Sequence, residues 1–227
     1  MSTVEKSELN QLEVSFIDSV VSENLIENLG SISEALLDSE LADGIIQNIP
    51  FFDVLYKTGK ITLAIRDKLF EKKVLKFLLE IKDISQSDRL DFIQELEEKS
   101  GQNAGEVLLM LIERLDNMEK PKMIANLLKA KVNKNISIEK FLRLSSIIDR
   151  GFLLDLKKLH LFEFSSGNYE EDITESLFSL GLLYIEPITG IRQTFDANLI
   201  IDDNSGNKYK ITNIGRDLLH YGLKTMS

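Results

Sequence analysis

Cysteine is absent from the 227 residues, and histidine occurs only twice, at His160 and His220. Without cysteine there is no disulfide, no thiolate metal site and no cysteine nucleophile, a composition that fits a reducing compartment. The two histidines stand sixty residues apart with no ligand spacing around them, so histidine-based metal binding finds no support. Long apolar runs are missing too. The longest uncharged stretch is the ten residues from Ser176 to Ile185, half of the roughly 20 that a membrane-spanning helix needs. The opening MSTVEKSELNQLEV places acids where a secretory signal or a mitochondrial presequence needs bases and an apolar stretch, so a cytoplasmic location is expected.

Catalytic motifs are equally scarce. No G-x-S-x-G, H-E-x-x-H or G-x-G-x-x-G is present, and SGQNAG at 100–105 lacks the lysine and spacing of a phosphate loop. Carboxylate pairs occur throughout a chain with 37 acids, and none is marked out by surrounding groups. Asp149 with Arg150, and Asp155 with Lys158, read as ordinary helix-surface charges. The expectation is a protein that is not an enzyme and takes no cofactor.

The charge that is present is unevenly spread. The net −10 divides into −9 over residues 1–50, +4 over 51–82, −6 over 83–120, +4 over 121–170 and −3 over 171–227. Alternating acidic and basic blocks favour pairing within the chain or between copies over a polyanionic partner. The most crowded basic run comprises Lys57, Lys60, Arg66, Lys68, Lys72, Lys73 and Lys76. It is the candidate interaction surface, with a phosphate or membrane footprint as the sharper reading. A solvated face, or one covered by the acidic first fifty residues, is the plainer and favoured one.

With 43% hydrophobic residues the chain is long enough to bury a substantial core. Apolar spacing predicts an amphipathic helix over 8–29, ended by Gly30, and the Ser31/Glu34 capping box predicts a second one to about Gln47. NIPFFDVLYKTGK reads as a tight apolar connection, because Pro50 disfavours a helical residue before it. Ile61, Ile65, Leu69, Val74, Phe77 and Ile81 mark a long helix over 61–81. Shorter helices are expected at 87–99, 103–115, 119–132, 137–148 and 151–162, joined by short connections. A faint echo between LEIKDISQSDRLDFI and IERLDNMEKPKMIA is too little for a repeat architecture.

Past SSGNYEED the pattern changes. A helix over 172–180, GLLYIE, a pair NLIIDD/KYKIT around NSGN, and a final helix capped by Thr212 or Asn213 follow one another. That order is the C-terminal half of a winged helix. The fold class expected is therefore mainly α: an antiparallel multi-helix bundle over 1–165, with acidic N-terminal helices over 1–50, and a small winged-helix-like α/β module over 166–227. The helix that would enter a major groove, YEEDITESLFSLG, carries Glu170, Glu171, Asp172 and Glu175 and no base, whereas duplex binding draws most of its affinity from lysine and arginine on phosphates.

KMIANLLKAKVNKNISIEKFLRLSSIIDRGFLLDLKKL, followed by SLFSLGLLYI and YKITNIGRDLL, resembles the C-terminal half of uncharacterised bacterial proteins of the abortive-infection alpha type. The resemblance covers about Lys122 to Leu219 and implies a role in bacterial defence against phage, with no catalytic residues to carry over. The function expected is binding to another protein or to further copies of the chain. A DNA-binding regulator using the basic helix 57–82 is the first rival, and a membrane-acting effector releasing 44–56 from the acidic N-terminal arm is the second.

Overall fold

The computed structural model describes residues 3–29, 32, 46–57, 65–163, 170–186 and 208–223. It is mainly helical with one small antiparallel sheet. Two compact units divide at 149/150, where the sequence pattern had put the boundary after 165. The helices over 150–162 fall in the second unit because they pack on the helix and strand that follow them.

The first unit begins with α1 (Thr3–Val20), α2 (Leu25–Leu29) and α3 (Pro50–Lys57). The single helix expected over 8–29 is thus interrupted at residues 21–24. Two side chains far along the chain account for the break. Gln86 Nε2 donates to the Val21 carbonyl at 3.0 Å, and Arg89 donates to the Ser22 carbonyl at 2.6 Å, so oxygens that a continuing helix would use are taken. Residues 50–57 are a helix, not the connection expected. Pro50 occupies its first position, where a missing N–H costs nothing. Ser19 of α1 accepts the next free donor, Phe51 N–H, at 2.9 Å. The helix expected over 31–47 lies mostly outside the described residues.

Next come α4 (Ile65–Ile81), α5 (Gln86–Ser100), α6 (Ala104–Arg114), α7 (Lys120–Val132) and α8 (Ile138–Arg150). Short polar caps set the starts of α5, α6 and α8: Ser85 accepts from Asp88 N–H, Asn103 from Glu106 N–H and Ser137 from Lys140 N–H; α7 starts instead with Pro121 in its first turn. Helix α4 packs on α6 and α7, and α1 on α3 and α6. Between them Phe16, Phe51, Phe52 and Phe77 are buried, with Phe16 edge-on to Phe51 at 5.7 Å between ring centroids. Phe92 and Phe141 make a second edge-on pair at 5.1 Å. Burying each such ring stabilises the fold by roughly 1.5–3 kcal/mol.

In the second unit α9 (Leu153–Lys158) runs into a 3-10 turn (Leu159–Phe162), so the expected helix 151–162 changes winding partway. Then come α10 (Glu171–Ser179), β1 (Leu183–Glu186), β2 (Lys208–Ile211), α11 (Asn213–Asp217) and a π-helical turn (Leu218–Leu223). The strands pair antiparallel with Leu183 opposite Ile211 and Glu186 opposite Lys208. NLIIDD lies outside the described residues. Gly181, at φ +74°, ends α10 as Leu182 N–H reaches the Leu177 carbonyl and Gly181 N–H the Phe178 carbonyl. Thr212 starts α11, accepting from Gly215 N–H at 3.0 Å. Gly215 is there for space: a Cβ at that position would lie 2.5 Å from the Leu182 carbonyl oxygen and 2.7 Å from Ile211 Cγ1.

Candidate functional site

The basic run is spread over two helices and put to different uses. Lys57, on α3, is exposed and pairs with Asp53 one turn earlier at 2.7 Å. Lys68 is exposed on α4, and Lys72 and Lys76 are half-buried. Lys73 turns inward and donates to the carbonyls of Glu113, at 3.0 Å, and Leu115, which lie at the end of α6 where no helical N–H remains for them. Lys60 and the side chain of Arg66 lie outside the described residues. At least two of the seven cations are therefore held by acceptors of their own unit.

The other charge blocks also meet. Glu80 of the first basic block faces Lys122 at 3.1 Å and Lys129 at 3.3 Å, and Lys131 pairs with Glu95. Lys120, fully buried, reaches Asp116 at 2.6 Å and the Asp149 carbonyl at 3.2 Å. Asp149 is not the ordinary surface charge its position implied, because its side chain is only 9% exposed and pairs with Arg114 at 2.6 Å. Arg89 is buried at the ends of α1 and α4, where its guanidinium serves the carbonyls of Ser22, Lys82 and Ile84. Burial there pushes its pKa down from the usual value.

Lys73 also lines a cleft of about 350 Å³ between α1, α3, α4 and α6. Its walls are mostly apolar: Leu12, Phe51, Leu69, Phe70, Leu109 and Met110. Leu69 was expected on the buried stripe of α4 but is 42% exposed, and Met110 is 51% exposed. Three carboxylates complete the lining, Glu13 of α1 and Glu106 and Glu113 of α6. The helices approach closely at Gly105, where a Cβ would lie 2.6 Å from the Glu13 carbonyl oxygen. That contact sets Glu13 beside Glu106. Burial, and then the Glu106 charge, hold the Glu13 carboxyl above its ordinary range. The sequence reading missed this cleft. The i, i+3, i+4, i+7 spacing of Glu106, Leu109, Met110 and Glu113 marks one face of α6, but nothing local to α6 brings Glu13 to it.

The second unit presents a different surface. Glu171, Asp172 and Glu175 of α10 are exposed, as is Glu170 at its cap, which pairs with Lys158 at 3.5 Å. Lys210 pairs with Glu186 across the strands at 2.5 Å. Phe152 is 57% and Leu154 58% exposed, and Phe178, Tyr184 and Ile185 are exposed as well. Phe152 is the N-cap of α9 and offers no side-chain acceptor to that helix start. His160 and His220 are both exposed. Among the described residues no group of three or more histidines and acids is arranged to hold a metal ion, and no helix is long and apolar enough to cross a membrane.

Neither a protein-family model, nor a curated protein, nor a solved structure matches the chain.

Proposed function

We propose that the protein acts without catalysis, by binding polypeptide, with the first unit as scaffold and the second as the docking surface. One observation carries the reading. A helix start favours serine, threonine, aspartate or asparagine, whose oxygen takes up a free N–H, yet α9 is capped by Phe152 with more than half its surface exposed. A position that breaks the local rule and leaves most of an apolar ring in water points to a demand from outside the fold. Leu154, two residues on, is equally exposed.

The partner is protein rather than duplex DNA because α10 exposes carboxylates and no base, so it has no cations with which to release counterions from phosphates. The order α10, β1, β2, α11 supports reading this end as winged-helix-like, with its groove-reading helix made electronegative. A place in the bacterial cytoplasm and a role in defence against phage, as the abortive-infection resemblance implies, complete the proposal.

Light scattering on the purified protein and affinity capture from its native host test it together. The expected result is an oligomer or a retained partner, and a strict monomer that retains nothing overturns the reading. A gel shift with duplex DNA at about 50 mM salt, where electrostatic affinity is large, is expected to show no complex.

A further inference from the structure

The geometry points to a second binding site, independent of that docking surface: the cleft between α1, α3, α4 and α6 takes a small organic cation, an amine on an apolar body. Its volume of about 350 Å³ lies in the range of small-molecule pockets, and its lining has their usual composition, apolar walls with a few polar groups.

The sign of the charge follows from what the carboxylates lack. Among the described residues neither Glu13 nor Glu106 has a hydrogen bond or an ion pair through its carboxylate, although the two lie close enough for the Glu106 charge to disfavour ionisation of Glu13. Lys73, the cation among the described lining residues, directs Nζ to the carbonyls of Glu113 and Leu115 at the end of α6. An ammonium group between Glu13 and Glu106 would turn a repulsion into two attractions, while an alkyl or aryl body displaced water from Leu69, Leu109 and Met110. An anion would add to the repulsion. A neutral ligand would gain only the apolar contact.

The test uses the full chain with methyl-labelled leucine and methionine, titrated at pH 7 with hexylammonium, 1-hexanol and hexanoate and followed by NMR. Hexylammonium is expected to shift the methyl resonances of Leu12, Leu109 and Met110, and to bind about three- to ten-fold more tightly than 1-hexanol, the range of a partly desolvated charged contact. Hexanoate is expected to bind most weakly. Glu13→Gln and Glu106→Gln should each remove most of the preference for the ammonium and leave 1-hexanol unchanged. Glu106 is exposed, so its variant keeps the test open should Glu13→Gln disturb the α1–α6 contact. Equal binding of hexylammonium and 1-hexanol, or an ammonium preference that survives both substitutions, overturns the inference. So does binding of a lysine-containing peptide without binding of hexylammonium, which would make the cleft a polypeptide site.

Discussion

In the first unit Phe16, Phe51, Phe77, Phe92 and Phe141 are buried, whereas in the second Phe162 is buried but Phe152, Phe178 and Tyr184 stand exposed. The inward-turned cations add to the contrast. Lys73, Arg89 and Lys120 of the first unit are all directed at backbone carbonyls, most of them at helix ends, while Lys57 and Lys131 there, like Lys158 and Lys210 of the second unit, pair with partly exposed carboxylates. The first unit has spent its largest rings and its inward-turned cations on holding itself together. The second leaves rings partly in water, Phe178 among them although it lies edge-on to Tyr209 at 5.7 Å between centroids, and this contrast in aromatic exposure is why polypeptide docking is assigned to the second unit and support to the first.

Substitutions that remove internal packing break the contrast at its strongest point. Phe16→Ala should lower stability by about 3–5 kcal/mol, the usual cost of truncating a buried aromatic ring, read as a lower urea midpoint for loss of helical circular dichroism. Phe16 touches both Phe51 and Phe77, at 5.7 and 6.3 Å between centroids, so the cavity cannot close by moving one neighbour. In the second unit the equivalent weak point is a contact without a side chain. Gly215→Ala should cost about 1–3 kcal/mol by overpacking against the Leu182 carbonyl, with the NMR signals of β1 and β2 broadened first.

A smaller effect of opposite sign is expected at the end of α7. Lys134 there has φ +61°, and Asn135 N–H and Lys134 N–H bond back to the Ala130 and Lys131 carbonyls, the same closing geometry that Gly181 gives α10. Lys134→Gly should therefore stabilise by about 0.5–1 kcal/mol, because a left-handed residue with a Cβ is strained. The smallest change concerns the cleft. Folding raises the Glu13 carboxyl above its ordinary value of 4.5, so the folded state holds the proton more tightly than the unfolded one. Stability then falls as pH rises from that ordinary value through the raised one, and the penalty persists above it. Glu13→Gln should accordingly raise the melting temperature at pH 7 and lose that advantage below pH 4, in paired thermal melts.

Where caps are local, the helices were legible. Helices α5 to α8 fall within two residues of their expected ends because Ser85, Asn103 and Ser137 sit beside the backbone groups they satisfy, and α7 carries Pro121 in its first turn. The break after Val20 was not legible, since it is enforced by Gln86 and Arg89, more than sixty residues away. Residues 50–57 read as a connection because the oxygen that takes up Phe51 N–H belongs to Ser19 of another helix. Asp149 looked like a surface charge for the same reason: Arg114 and Lys120 reach it only once α6, α7 and α8 have packed. The cleft's acidic pair likewise needs the Gly105 contact, which is tertiary.

The measurement that bears most directly on the division of labour is affinity capture with the wild-type chain and Phe152→Ser side by side from the native host. Serine at that cap supplies the acceptor that phenylalanine lacks, so the variant should fold as well as or better than the parent. The account predicts that a stoichiometric polypeptide, another protein or a second copy, is retained by the parent and lost from the folded variant. Equal retention by both, or a parent that holds no polypeptide and instead shifts duplex DNA at about 50 mM salt, would contradict it.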